Sequence, residues 1–112
     1  MYKPVFLRTE NQLNKVLKSQ KKTRQDLGVL FLSLWDNHSE VLMEKLKKRA
    51  ESLASKGGSP RRTKPLYVVD SFTMPHAFVI FKTTKLPHLV QFKRGSVESE
   101  DYLSRVYKEL GF

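Results

Sequence analysis

Asp36, Asn37, His38 and Ser39 follow directly on the apolar run Val29-Leu30-Phe31-Leu32-Ser33-Leu34-Trp35, and they are where this 112-residue chain is expected to carry its site. A serine beside a histidine suggests acyl transfer, in which a hydroxyl attacks a carbonyl and an imidazole takes its proton. That chemistry also needs a third group to orient the base, and side chains adjacent in sequence seldom face each other. Helix capping is therefore the expected role of His38 and Ser39. A metal is the other chemistry open to histidines, and His38, His76 and His88 could approach one another at one end of a sheet. They lack the i, i+4 or paired spacing of ligand sets, so packing or surface roles are expected, with no metal and no cofactor. Cysteine is absent, which removes disulfides, thiolate metal sites and thiol nucleophiles. No catalytic residue is assigned.

The elements around this tetrapeptide follow from hydrophobic period. Six of the seven residues from Val29 to Trp35 are apolar without alternation, the pattern of a strand covered on both faces. The tetrapeptide then supplies an N-cap and stands at the carboxyl end of the strand, where open α/β sheets keep their binding sites. From Ser39 to Ser55, Leu42, Leu46, Ala50 and Leu53 share one helical face, with Lys45, Lys47, Lys48 and Arg49 largely off it. That helix ends at Lys56-Gly57-Gly58-Ser59-Pro60, and Gly57 to Pro65 reads as an exposed loop.

Ahead of the central run, Pro4 to Arg8 is β-rich, and Thr9-Glu10-Asn11-Gln12 has the form of a capping box opening a helix with the stripe Leu13, Val16 and Leu17. Lys15, Lys18, Lys21, Lys22 and Arg24 make its other side and the next loop basic, which reads as a solvated face. Leu66 to Asp70 and Leu89 to Lys93 read as strands and Arg94-Gly95 as a turn. From Ser99 a helix is expected, with Glu100 and Asp101 in its first turn. Pro75 to Phe81 stays open: composition favours a strand, whereas Pro75 with Thr73 as cap favours a short helix. The order βαβαβ, an undecided element, then βα describes one α/β domain over residues 1–112, with helices packed on a small mixed sheet of four strands.

Composition limits the function classes. Hydrophobic residues at 39% and aromatics at 11% give enough apolar material for one core, in a chain too short for two well-packed domains. No apolar run reaches membrane-spanning length, and Met1-Tyr2-Lys3-Pro4 lacks the apolar core of a signal peptide. A cytoplasmic protein without a membrane partner is expected. The net charge of +10 allows an acidic partner or nucleic acid. Eight Lys or Arg against Glu51 alone lie between Lys45 and Lys64, and Lys45, Lys48, Arg49, Lys56, Arg61, Arg62 and Lys64 form the candidate patch for a phosphate backbone. The stretch has no interleaved aromatics to stack on bases, and Gly57-Gly58 follows a helix instead of opening one, unlike a phosphate loop.

These residues resemble the thioredoxin family. Leu32-Ser33-Leu34-Trp35 is similar to the end of its central strand, and Leu86-Pro87-His88-Leu89-Val90-Gln91-Phe92-Lys93-Arg94-Gly95 resembles its stretch around a cis-proline, with Phe, Lys and Gly at the same offsets. The order of elements matches over nearly the whole chain, with a few residues inserted at Gly57 to Pro65. The resemblance implies a three-layer thioredoxin-like fold and a cis bond at Leu86-Pro87. It also implies that the redox motif Cys-Gly-Pro-Cys falls on Ser39, Glu40, Val41 and Leu42, and the family's buried acid on Ser33. A hydroxyl and a Leu cannot perform thiol–disulfide exchange. The short tail after Gly95 implies that the family's final edge strand is missing.

The expected function is thus a redox-inactive thioredoxin-like protein rather than an enzyme. It would bind a protein or extended peptide at Trp35, Asp36, Asn37, His38, Ser39, Leu86 and Pro87, by strand addition, or act as an accessory subunit through its basic face. The alternative is a nucleic-acid-associated protein using Lys45 to Lys64.

Overall fold

The computed structural model describes residues 2–33, 37–55, 64–71, 74–83, 86–102 and 104–110, with the side chains of residues 2, 37, 38, 53–55, 80 and 104 outside the description. The elements in chain order are β1 (Tyr2–Phe6), α1 (Glu10–Thr23), β2 (Leu27–Leu32), α2 (Asn37–Ser55), β3 (Lys64–Asp70), α3 (Pro75–Ile80), β4 (His88–Lys93), β5 (Ser96–Tyr102) and α4 (Ser104–Leu110). The strands form one mixed sheet in the order β1-β3-β2-β4-β5. β1 and β2 both run parallel to β3, while β4 is antiparallel to β2 and β5 antiparallel to β4.

The unbroken apolar run has a direct cause in this arrangement. β2 is the middle strand, and all six of its residues are buried. Leu30 and Leu32 join Leu42 and Leu46 of α2 and Val106 and Leu110 of α4 on one face. Leu27, Val29 and Phe31 join Leu13 of α1 and Met74 and Ala77 beside and within α3 on the other. Because side chains alternate across a strand, a strand between two helical layers must be apolar at every position. β3 repeats the division, with Leu66 and Val68 on the α2 side and Tyr67 and Val69 on the α1 side.

The expectation of four strands with no final edge strand is corrected by β5. Ser96–Tyr102 pairs antiparallel with β4 through the two-residue turn Arg94-Gly95. Both turn residues have positive φ, 53° and 87°, the requirement of the tight hairpin turns whose twist suits the flanking strands. Glu100 and Asp101, read from sequence as the first turn of a helix, instead lie in β5, and α4 begins at Ser104. Their carboxylates meet partners across the ladder, Glu100 on His88 and Asp101 on Gln91. These cross-strand partners and the turn geometry outweigh the helix-start pattern.

The undecided stretch is helix α3. Its N-cap residue Met74 makes no side-chain capping bond, and Pro75 occupies the first turn, where its missing N–H is not needed. The expected cap at Thr73 lies outside the described residues. The N–H of His76 donates to Glu10 Oε1 at 3.0 Å, so a carboxylate on α1 satisfies an orphan donor of α3. α1 itself starts as the sequence indicates: Thr9 Oγ1 accepts from the Gln12 N–H at 3.2 Å, and Gln12 Oε1 accepts from the Thr9 N–H at 3.2 Å. α2 begins at Asn37 instead of Ser39, so Asn37, His38 and Ser39 belong to the first turn of the helix and only Asp36 precedes it, outside the described residues. The expected loop Gly57 to Pro65 also lies mostly outside them. No helix among the described residues is long and apolar enough to cross a membrane.

Candidate binding site

The carboxyl end of β2 is built by register. The β2–β4 ladder ends with Phe31 opposite His88, and the β2–β3 ladder with Leu32 opposite Asp70. Leu86 and Pro87, joined by a cis peptide bond, precede His88 and therefore come to the end of β2 from which the chain leaves toward α2. Pro87 is buried and Leu86 half-buried, the latter packing on the cluster that holds Phe31 and Ala77. Ser71 closes the other side: its N–H donates to the Leu32 carbonyl at 3.0 Å, and its hydroxyl donates to Ser33 Oγ at 3.0 Å.

Of the residues read from sequence, Leu86, Pro87 and the start of α2 are brought to this end. Ser39 is 1% exposed, so its hydroxyl faces the interior and is no accessible nucleophile. Trp35, Asp36 and the side chains of Asn37 and His38 lie outside the described residues. At Ser33, 8% exposed, a hydroxyl pair stands where the family resemblance implies an acid. Two hydroxyls can orient each other but offer no proton acceptor near neutral pH.

The histidine that matters to the fold is His88, 0% exposed. It forms the middle of a row of rings across three strands. Its ring lies 5.4 Å from that of Phe31 and 4.3 Å from that of Tyr102, at interplanar angles of 25° and 9°. Nε2 is 3.2 Å from Glu100 Oε1 and Nδ1 is 2.9 Å from Thr83 Oγ1. An ionised carboxylate only accepts, so in the neutral imidazole the proton sits on Nε2 and the Thr83 hydroxyl donates to Nδ1. Burial pushes the imidazole below its usual range, and the charge of Glu100 with its hydrogen bond offsets part of that.

Hydroxyl, imidazole and carboxylate in that sense are the order of a catalytic triad. Here the imidazole is sealed between two rings, and the N–H of Thr83 already bonds the Phe78 carbonyl at 2.9 Å. The chain Thr83-His88-Glu100 instead fastens the segment before Pro87 to β5. From the sequence His88 reads as one of three dispersed histidines and as the residue after Pro87 in the stretch that carries the resemblance. The signal lay in its parity with Val90 and Phe92, which face the same buried side.

His76 is exposed on α3, and no cluster of three His, Asp or Glu among the described residues could hold a metal ion. The basic patch divides. Lys45, Lys48 and Lys64 are exposed, whereas Arg49 is half-buried and its Nη1 donates to the Leu110 carbonyl at 2.6 Å. That bond anchors α2 to the end of α4, so Arg49 has a structural role. Lys56, Arg61 and Arg62 lie outside the described residues.

A five-stranded mixed sheet with a central parallel pair, two helical layers and a cis-proline opening β4 is a thioredoxin-like fold. Solved structures bear this out: thioredoxin O2 from Arabidopsis thaliana superposes at a TM-score of 0.68 with 16% identity, covering 96% of this chain and 94% of that one. The thioredoxin of Schistosoma mansoni gives 0.73 with 15% identity over 97% and 91%, and thioredoxin NaTrxh of Nicotiana alata gives 0.72 with 11% identity over 97% and 90%. No protein-family model and no curated protein matches the sequence. The likeness is therefore one of fold, in a chain that has no cysteine.

Proposed function

We propose that this protein is a redox-inactive thioredoxin-like module of the cytoplasm that binds a protein or extended peptide at the carboxyl end of β2. The observation that carries the reading is the retention of the fold, with Leu86 and Pro87 at the end of the β2–β4 ladder, in a chain without a single thiol. The paired residues of β4 stop at His88 toward both β2 and β5, so the main chain of Leu86 lies beyond the ladder. Strand addition uses such main-chain groups and needs no redox chemistry. Trp35, Asp36, Asn37 and His38 would form the other wall, whereas Ser39, 1% exposed, offers no surface to a partner. An accessory-subunit role through the basic face belongs to the same reading.

The rival is a nucleic-acid-associated protein using Lys45 to Lys64, which the exposed Lys45, Lys48 and Lys64 support. Retention of a host protein on the immobilised full chain separates the two. The binding module expects that protein to be lost with Trp35→Ala or Leu86→Asp and kept with the triple variant Arg61→Ala, Arg62→Ala, Lys64→Ala. Loss in the triple variant alone would sink it.

A further inference from the structure

α1 and α3 lie on the same face of the sheet and leave a groove between them. One compartment, of about 100 Å³, has Leu13, Leu17, Ala77 and Phe81 as apolar walls. A second, of about 190 Å³, shares Asn14 and Leu17 with the first and is lined among the described residues by α1 alone, with Lys18 and Lys21 at its border. Leu17 and Phe81 belong to the core cluster yet remain half-exposed, so apolar surface is left open there. Among the described residues the one acid on the rim is Glu10, which is engaged by the His76 N–H. Neither Lys18 nor Lys21 forms an ion pair among the described residues.

We propose that this groove is a second docking surface, for a protein segment that presents an aliphatic side chain beside acidic residues. Each compartment is below the roughly 300 Å³ at which small-molecule sites begin, and the first suits a single aliphatic side chain. Unpaired lysines at the open end complement carboxylates that follow such an anchor, which favours both encounter and register. An apolar floor gives nothing to a phosphate backbone, and two copies of a chain carrying +10 repel each other. Neither Leu86 nor Pro87 lines either compartment, so the two surfaces can be tested separately.

The test titrates the isotope-labelled full chain with a synthetic peptide of alternating Glu-Glu and Leu, and with the same peptide carrying Ser for Leu. The leucine peptide should shift amides of α1 and α3, with affinity at least about tenfold above the serine peptide, a difference of about 1.4 kcal/mol. Asn14→Trp, at an exposed position bordering both compartments, and the pair Lys18→Glu, Lys21→Glu should each abolish the preference, while Trp35→Ala keeps it. Equal affinity for both peptides, shifts confined to residues 36–39 and 86–87, or no binding of either would overturn the proposal. So would displacement of the peptide by duplex DNA at about 0.15 M salt, or a dimer that Asn14→Trp dissociates.

Discussion

His88 Nε2 and Glu100 Oε1 lie 3.2 Å apart across the β4–β5 ladder, with the imidazole wholly buried and the carboxylate side chain 45% exposed. Burial holds the His88 pKa below its usual value of 6.5, so below that pH the unfolded chain binds a proton that the folded chain refuses. The contribution of His88 is complete above pH 6.5 and is lost as pH falls toward the lower folded value.

Chemical denaturation at pH 7 and pH 5 should therefore show a loss of stability that is smaller in His88→Phe, a substitution that keeps the ring row. An equal loss in both proteins would show that His88 titrates normally in the fold.

Phe31 contacts rings on both sides, at 5.1 Å to Phe78 and 5.1 Å to Phe81, besides His88. Phe31→Ala should destabilise by about 3–5 kcal/mol, the range for burying a large void. Val79→Ala, at a position 71% exposed, should stay within about 0.5 kcal/mol. Urea midpoints of the two variants decide this, and comparable losses would mean the ring cluster is not the packed core described.

Turnover of a disulfide substrate should stay at the buffer rate, since the attacking thiol has no counterpart in the chain. Restoring cysteines through Ser39→Cys and Leu42→Cys should give weak activity at most. Leu42 is 0% exposed, so its truncation costs up to about 2–5 kcal/mol, and the Ser33–Ser71 hydroxyl pair supplies no proton acceptor. Vigorous turnover by the double variant would contradict the reading of Ser33.

Thr9→Ala removes one half of a reciprocal cap and should cost about 1 kcal/mol. Glu10→Gln should act on a different helix, loosening the start of α3. Amide exchange at His76 that is unchanged in Glu10→Gln would refute the cross-helix cap.

These elements also mark what could be read in the sequence. The capping box at Thr9 and the apolar run of β2 are local or periodic signals, and both are legible. β5 was not, because Glu100 and Asp101 satisfy a helix-start pattern whose competitor, pairing with His88 and Gln91, becomes visible only once the turn at Arg94-Gly95 folds β5 onto β4. Arg94 is not a residue that advertises positive φ. α3 was ambiguous because the donor its first turn presents is satisfied by Glu10, 66 residues away. At the site, Leu86 and Pro87 were legible through family resemblance, while the Thr83-His88-Glu100 chain needed the register of three strands.

The central claim, that a partner docks at the carboxyl end of β2 without redox chemistry, is tested most directly by the salt dependence of binding to the retained host protein and to a DNA duplex. The account predicts that the protein partner stays bound at about 0.15 M salt, is weakened by Trp35→Ala or Leu86→Asp, and is indifferent to the loss of Arg61, Arg62 and Lys64. The contradicting result is tight duplex binding whose logarithm falls linearly with log salt, with a slope reduced by up to about three phosphate equivalents in the triple variant.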